Sequence, residues 1–231
     1  MNEAAAYHDA LGDFFATNAD TSPYNAYTDR PAMLQLAGDV SGARILDVGC
    51  GAGHYAAELA ARDAQVVGID GSETLLRHAE VRVNGRAEIL LHDLEKPLDF
   101  AADASFDGAI CALVLHHVKN RVQLLDELRR VLRPGGWLLI STTHPTADWR
   151  RFGGSYYSHD WSDRPVAGGK FSIHYQRMPL ETFLGELLTA GFVLERLIEP
   201  RPAPSLREID EAAYDKLHQA PCFLAVKLQR P

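Results

Sequence analysis

The stretch Arg44-Ile-Leu-Asp-Val-Gly-Cys-Gly-Ala-Gly-His54 decides the fold of this chain. It joins a short apolar strand to a turn that contains three glycines, and it leads into a predicted helix over residues 55–62. Glycine has no Cβ and tolerates positive φ, so a ligand can lie against the bare backbone of such a turn. The N–H groups at the start of the following helix are free to bind that ligand. The stretch therefore predicts a nucleoside-type cofactor at the carboxyl end of a parallel strand.

Composition narrows the class of protein. The chain has 231 residues, of which 46% are hydrophobic and 23% are charged, as in ordinary soluble globular proteins. Its net charge of −8 argues against a nucleic-acid backbone as the main partner, because that binding depends on Lys and Arg. The three cysteines lack the paired spacing of a metal site or a disulfide framework, and the N-terminus does not look like a signal peptide. We expect one cytoplasmic domain over residues 1–231, monomeric or homodimeric, with no metal and no membrane partner.

Short apolar strands alternate with amphipathic helices after the glycine turn. The further strands are predicted over residues 65–70, 87–91, 106–112, 137–141, 192–198 and 222–228. The further helices are predicted over residues 73–83, 122–132, 180–190 and 206–219, with Ser72 and Asn120 as N-caps of the first two. This alternation is typical of βαβ units and a parallel sheet whose two faces are both covered. The last strand follows its predecessor by a short route, which favours an antiparallel final strand.

Acidic residues near the glycine turn indicate the kind of cofactor. Asp70 lies about 20 residues past the first glycine, where dinucleotide-binding folds hold a ribose diol. Asp93 follows the next strand and can accept a hydrogen bond from an adenine amine. However, His54 replaces the last glycine of the dinucleotide fingerprint, and Asp47 would repel a pyrophosphate but attract an ammonium group. Adenosine at one end and a cationic amino acid at the other describe S-adenosylmethionine (SAM).

With these motifs in place, the chain resembles the class I (Rossmann-like) SAM-dependent methyltransferases. The resembling segments are residues 45–54, 66–70, 92–94, 106–117 and 132–137. The resemblance implies a doubly wound α/β fold with a seven-stranded, mostly parallel sheet of order 3-2-1-4-5-7-6 and an antiparallel last strand. It also implies SAM as the cofactor and S-adenosylhomocysteine as its product.

The resemblance further assigns cofactor-binding roles by position. Asp47 would orient the amino end of the methionine moiety, Asp70 would hold the ribose hydroxyls, and Asp93 would meet the adenine. The two cysteines of the set can also be read as small apolar side chains, and we expect no thiol chemistry from them. The complete set is Tyr24, Tyr27, Asp47, Gly49, Cys50, Gly51, Asp70, Gly71, Asp93, Leu94 and Cys111.

Three histidines are candidates for a general base. Methyl transfer is an in-line displacement that depends on alignment, and a hydroxyl or protonated amine acceptor also needs a base near neutral pH. His116 and His117 follow the fourth strand and His144 follows the fifth, all at the carboxyl edge of the predicted sheet. His117 is the preferred base and His116 is the next candidate, because two adjacent side chains rarely both face a substrate. His144 can equally bond a backbone group at the exit of its strand.

Two segments stand outside the alternating pattern. Residues 1–40 have the pattern of helices at both ends, and we predict that this segment forms a lid over the ligand. Its Phe14 and Phe15 are assigned to the core. Residues 145–177 are rich in aromatic residues and glycine and are too long for an ordinary connection, so we predict a cap over the acceptor. A solvent-exposed flap or a dimer contact is the alternative. Arg164 in this segment is predicted either to bind an acidic substrate or to be solvated.

The preferred function is methyl transfer to an oxygen, nitrogen or carbon atom of a small molecule. Aromatic walls with a few polar groups in residues 145–177 suit a small, partly apolar acceptor. The alternatives are a protein or RNA methyltransferase, an NAD-dependent dehydrogenase, and a SAM-binding regulatory module without catalysis. The acidic charge disfavours the first, and Asp47 and His54 disfavour the second.

Overall fold

A sheet of seven strands is the centre of the computed structural model, which describes residues 8–231. The strands of this part of the chain are β1 (Arg44–Val48), β2 (Gln65–Asp70), β3 (Glu88–Leu91), β4 (Phe106–Ala112), β5 (Leu132–Thr143), β6 (Trp161–Val166), β7 (Phe171–Gln176), β8 (Val193–Ile198) and β9 (Phe223–Gln229). The sheet has the order β3-β2-β1-β4-β5-β9-β8, while β6 and β7 form a separate antiparallel hairpin.

The directions of the strands confirm the predicted fold class. All pairs from β3 to β5 are parallel, whereas β9 is antiparallel to both β5 and β8. Counted within the sheet alone, the order is 3-2-1-4-5-7-6 with an antiparallel last strand. The register places Val48 opposite Ile69, so β1 and β2 end side by side. The loops that leave the parallel strands therefore share one edge of the sheet.

Helices cover both faces of the sheet. They are α1 (Asp9–Asn18), α2 (Arg30–Ala37), α3 (His54–Ala60), α4 (Glu73–Val83), α5 (Arg121–Val131), α6 (Pro145–Phe152), α7 (Leu180–Thr189), α8 (Ser205–Ile209) and α9 (Glu211–Gln219). Successive strand residues point to opposite faces, so neighbours in β1 enter different cores. Leu46 belongs to the core that contains Leu128 of α5 and Leu187 of α7. Ile45 belongs to the core that contains Met33 of α2 and Leu59 of α3.

Local sequence signals explain where several helices begin. The Ser72 hydroxyl accepts from the Leu75 N–H at the start of α4, and the Asn120 side chain accepts from the Gln123 N–H at the start of α5. Both predicted N-caps are confirmed. The single helix predicted over residues 206–219 is wrong, because Asp210 has extended φ of −149° between α8 and α9 and caps α9. The fifth strand begins earlier than predicted, at Leu132, where it pairs with β4.

The two segments outside the alternating pattern have their own structure. Residues 145–177 contain α6 and the β6–β7 hairpin. The N-terminal segment contains α1, a π-helical turn over Asn25–Asp29 and α2, and its residues 1–7 lie outside the described part. In the described range of 8–231, every helix is too short or too polar to cross a lipid bilayer.

Gly108 in β4 offers a test of how tightly β4 and β5 pack. A Cβ built on Gly108 would overlap the indole ring of Trp137, its partner in β5. We predict that Gly108→Ala lowers the free energy of unfolding by about 1–3 kcal/mol through overpacking, as measured by urea denaturation.

Gly185→Ala is the matched control for this substitution. Gly185 lies within α7, and a Cβ there would have no neighbouring atom within 4 Å. Alanine is the better helix former, so Gly185→Ala should leave stability unchanged or raise it by up to about 1 kcal/mol. Equal unfolding midpoints for Gly108→Ala and the unchanged protein would contradict the packing argument.

Candidate functional site

A cavity of about 1080 Å³ opens at the carboxyl edge of the parallel strands. Its walls come from the segments that follow β1, β2, β3 and β4, together with the N-terminal segment and the β6–β7 hairpin. Pockets for one small molecule usually enclose roughly 300–1,000 Å³. The cavity therefore has room for a nucleoside cofactor and a second, small molecule.

The glycine turn forms the floor of the cavity. Gly49 and Gly51 have φ values of +67° and +55°, which L side chains rarely adopt. A Cβ on Gly49 would collide with Val114, whereas a Cβ on Gly51 would meet no atom within 4 Å and would point into open space. Gly49 therefore permits close packing below the turn, and Gly51 leaves bare backbone for a ligand.

The end of the turn is tied to the N-terminal segment. A Cβ on Gly53 would lie 2.9 Å from the Ala79 backbone, so this glycine lets α3 approach α4. His54 opens α3, and its Nε2 lies 2.8 Å from Asp20 Oδ1. Arg82 of α4 binds the same Asp20 oxygen at 2.8 Å. Burial lowers the pKa of His54 to about 4, so at neutral pH this histidine is an uncharged anchor for the segment that follows α1.

Asp70 is positioned by two backbone hydrogen bonds. Its Oδ2 accepts from the Gly51 N–H and its Oδ1 accepts from the Ser72 N–H, both at 2.9 Å. Burial raises the pKa of this carboxyl. Each carboxylate oxygen has a further lone pair, so the pair of oxygens can also accept from two vicinal hydroxyls. This geometry suits a ribose diol beside the glycine turn.

Most of the sequence-predicted cofactor residues line this cavity. Asp93 is exposed at its rim and accepts from the Glu95 N–H at 3.0 Å. Cys50 lines the wall, and burial raises the pKa of its thiol, as expected for a side chain without thiol chemistry. The predicted residues in the lining are Tyr24, Gly49, Cys50, Gly51, Asp70, Gly71, Asp93, Leu94, His116 and His117.

Four predicted residues lie outside the lining. Asp47 is fully buried, and Cys111 has no exposed surface, with its pKa raised to about 12 by burial. Tyr27 uses its carbonyl oxygen to accept from the Ala203 N–H at 2.7 Å. His144 caps α6 by accepting from the Thr146 N–H, and its Nε2 lies 3.1 Å from Glu199. In the structure His144 therefore bonds the backbone at the exit of its strand, which is the alternative to a role as general base.

Two buried carboxylates provide unsatisfied oxygens near the glycine turn. Asp29 lines the cavity and accepts from the Tyr55 hydroxyl at 2.7 Å through Oδ2. The Ser141 hydroxyl lies close enough to Asp29 to lower its pKa, but within residues 8–231 the Asp29 Oδ1 and the Asp47 Oδ2 make no hydrogen bond of normal geometry. Burial raises the pKa of Asp29 to about 6 and that of Asp47 to about 7. Buried acceptors without partners are costly, so a cationic group nearby would stabilise them. The site therefore fits the ammonium end of SAM.

The adjacent histidines face the same cavity from the segment after β4. His117 Nδ1 donates to the His174 carbonyl oxygen of β7 at 2.9 Å, and His116 Nδ1 forms a 3.0 Å hydrogen bond with Thr142 Oγ1. The two imidazole centroids are 4.4 Å apart. Burial lowers the pKa of His117 to about 4 and that of His116 well below its ordinary value. Both rings are therefore neutral at pH 7.

The hairpin and the N-terminal segment meet above these histidines. The rings of Phe14 and Phe171 have centroids 5.6 Å apart, and the Arg164 guanidinium lies 5.9 Å from the ring centroid of Tyr24. The Tyr175 hydroxyl donates to Asp148 Oδ1 of α6 at 2.6 Å. Phe14 and Phe15 both line the cavity and are half-buried. Phe15 also packs against the small core cluster of Ala16, Ala52 and Leu75, so the core assignment holds in part for Phe15 and is wrong for Phe14.

Several lining residues have no signal in the sequence motifs. Asp29 and Arg30 come from the junction between the π-helical turn and α2, and Tyr55 comes from α3. Tyr175 and Arg164 belong to the aromatic segment of residues 145–177, which the sequence predicts as a cap. The others reach the cavity because distant segments pack over the sheet edge, which no local spacing indicates.

Known proteins with similar sequences include several that are named as methyltransferases. A family profile described as "Methyltransferase domain" matches residues 46–140. The malonyl-[acyl-carrier protein] O-methyltransferase of Erwinia pyrifoliae is 31% identical over 196 residues, which cover 81% of this chain and 68% of that protein. The ubiquinone biosynthesis O-methyltransferase of Thiobacillus denitrificans is 28% identical over 148 residues, which cover 63% of this chain and 64% of that protein.

Solved structures show the same fold. A SAM-dependent methyltransferase from Mesorhizobium loti superposes with a TM-score of 0.71 at 24% identity, covering 92% of this chain and 100% of that chain. At this identity the likeness is evidence for the fold alone. The chain spans about half the length of several other curated ubiquinone biosynthesis O-methyltransferases that it matches.

The Asp29 carboxyl predicts a pH dependence of cofactor binding. In the free protein it is protonated below about pH 6, and an ammonium group beside it would favour the charged form. Binding of S-adenosylhomocysteine should therefore weaken as the pH falls from 8 to 5, by up to about tenfold per unit below pH 6. Asp29→Asn should lower affinity at pH 7.5 by roughly tenfold or more and make the profile shallower in isothermal titration.

Asp99→Asn is the control, because Asp99 is exposed and lies outside the cavity. It should keep both the affinity and the pH profile of the unchanged protein. A profile for Asp29→Asn that matches that of Asp99→Asn would remove Asp29 from the cofactor site.

Proposed function

Because the chain belongs to the class I SAM-dependent methyltransferases, we propose that it methylates an oxygen, nitrogen or carbon atom of a small molecule held beneath the β6–β7 hairpin. One observation carries the proposal: a single cavity of about 1080 Å³ extends from the glycine turn to the hairpin. Ring contacts between the hairpin and the N-terminal segment enclose the acceptor end. Two relatives named as O-methyltransferases make oxygen the favoured acceptor atom.

The proposed cofactor contacts pair acidic groups of the site with hydroxyl, amine and ammonium groups of SAM. Asp70 would hold the ribose hydroxyls, with Gly71 beside it, and Asp93 and Leu94 would contact the adenine. The backbone of residues 49–51 would line the path of the methionine portion. Asp29 would receive the ammonium group, and the buried Asp47 carboxyl would add negative potential there when it is ionised. These assignments use groups that lie at one edge of the sheet.

Arg30 is the proposed partner of the methionine carboxylate. It lines the cavity beside Asp29, and its guanidinium donates to the Ala19 carbonyl oxygen at 2.9 Å. No carboxylate lies within 4 Å of it in the described part of the chain, and Asp20, Asp29 and Glu58 act on its charge only from farther away. An Arg–carboxylate pair is both strong and directional.

His117 is the proposed general base. SAM, when bound, supplies an electrophilic methyl group on a sulfur that leaves with the electrons of the broken bond. A carbonyl oxygen only accepts hydrogen bonds, so His117 Nδ1 carries the proton that it donates to His174. Nε2 of the neutral ring therefore carries the lone pair that can take a proton from an acceptor hydroxyl. His116 would support the ring through their contact and the hydrogen bond to Thr142.

Turnover with acceptors of different size tests the proposal. The protein would be incubated with SAM and a panel of low-molecular-weight phenols, carboxylic acids and amines, and in parallel with proteins and RNA. Formation of S-adenosylhomocysteine with a methylated small molecule supports the proposal. Methylation of protein or RNA alone would replace it, and SAM binding without any turnover would favour a regulatory module.

Substitution of His117 should separate chemistry from binding. We predict that His117→Gln lowers kcat by roughly 100-fold to 10,000-fold with an acceptor hydroxyl, because the base is lost, while SAM affinity stays unchanged. In the unchanged enzyme, kcat should fall only below about pH 4–5, where His117 becomes protonated. Steady-state kinetics and titration with SAM measure the two effects.

His144→Asn is the control for this substitution. Asparagine can still accept from the Thr146 N–H as an N-cap, and position 144 lies outside the cavity. Its kcat should stay within a few-fold of that of the unchanged enzyme. If His144→Asn loses activity as His117→Gln does, or if His117→Gln retains full kcat, His117 is not the base.

A further inference from the structure

Two guanidinium groups line the cavity without an ion-pair partner. Arg30 lies near the glycine turn, and Arg164 lies on β6 at the hairpin end. Within residues 8–231, neither group has a carboxylate oxygen within 4 Å. By contrast, Arg121 is held by a two-point ion pair with Glu186. The cavity therefore contains two guanidinium groups without a direct ion pair, besides the exposed Lys96 at the rim near Asp93.

The two cations have different neighbours. The charge of Arg30 acts on Tyr55 and His54 beside the glycine turn. The charge of Arg164 acts on His116 and Tyr175, which belong to the proposed acceptor end. SAM carries only one carboxylate, and Arg30 is the cation beside its proposed methionine portion. Arg164 is thus left for an anion that the cofactor does not supply.

The contacts of the Arg164 guanidinium with the rest of the protein are weak. Its guanidinium lies 5.9 Å from the Tyr24 ring centroid, close to the outer limit of about 6 Å for a cation–π interaction. Asp148 is near enough to interact electrostatically, but it is buried and already accepts from the Tyr175 hydroxyl. Half-buried and facing the cavity, Arg164 remains free to bind a ligand oxygen.

We propose that the methyl acceptor carries a carboxylate that pairs with Arg164, while its nucleophilic group faces His117. This inference rests on the proposed function. One guanidinium balances one negative charge and matches the two oxygens of a carboxylate. A phosphate monoester carries nearly two negative charges at pH 7 and would require a second cation. The aromatic surroundings of Tyr24, Phe14 and Tyr175 suit an apolar body between the two polar ends.

Matched acids and amides test this proposal. The enzyme, saturated with S-adenosylhomocysteine, would be titrated with benzoate, phenylacetate and 3-hydroxybenzoate, and with the three corresponding amides, by ligand-observed NMR. The acids should bind roughly tenfold or more tightly than their amides. Arg164→Gln should abolish this preference, and Arg164→Lys should retain part of it because the charge remains.

Arg201→Gln is the matched charge control, since Arg201 is exposed in the loop before α8 and lies outside the cavity. It should keep the full preference for acids. The proposal is overturned if no acid binds better than its amide, or if the preference survives in Arg164→Gln.

Affinity for S-adenosylhomocysteine, measured for every variant, separates the possible failures. Unchanged affinity in Arg164→Gln shows that the variant is folded and that its cofactor end is intact. If the unchanged protein binds S-adenosylhomocysteine but treats acids and amides alike, only the carboxylate inference fails. If the unchanged protein does not bind S-adenosylhomocysteine, the proposed function fails as well.

Discussion

The hydrogen bond from the Gly51 N–H to Asp70 Oδ2 is the interaction on which the site depends. Together with the bond from the Cys50 N–H to the Ile69 carbonyl oxygen, it fastens the turn after β1 to the end of β2. The turn can take this path because its glycines adopt positive φ. The consequence is a floor of bare backbone beside an oriented carboxylate, at the edge where the parallel strands end. Every proposed cofactor contact is arranged around that floor.

The second half of the site is built from segments far apart in the chain. Asp20 joins His54 of α3 to Arg82 of α4 and so holds the N-terminal segment over the turn. The His174 carbonyl oxygen fixes the His117 ring from the hairpin side. Between these anchors, the walls present neutral histidines, the Asp29 carboxyl and two guanidiniums without an ion pair, and the buried Asp47 carboxyl lies behind them. A ligand pair with complementary charges would satisfy groups that the protein alone leaves unsatisfied.

Local sequence patterns predicted the strands, most of the helices and the glycine turn for a physical reason. Strand and helix periodicity, N-caps such as Ser72, and the glycines of the turn act over a few residues, so their effects are visible in the sequence itself. The patterns failed where tertiary contacts decide. Phe14 is apolar and has helical spacing, yet it packs on Phe171 at the wall of the cavity rather than in the core. Asp210 breaks a polar segment that otherwise reads as one helix.

The sequence by itself determined the alternation of strands and helices and pointed to the cofactor, because both rest on short-range backbone geometry and on the spacing of acids after strands. The order of the strands followed only from the resemblance of these motifs to the class I SAM-dependent methyltransferases. Only the tertiary structure decided which polar groups face the cavity. It buried Asp47 and brought Asp29 to the wall, it made His144 a helix cap, and it left Arg164 unpaired. Burial, pairing and exposure depend on what packs against a side chain, and for these residues the neighbours come from distant parts of the chain.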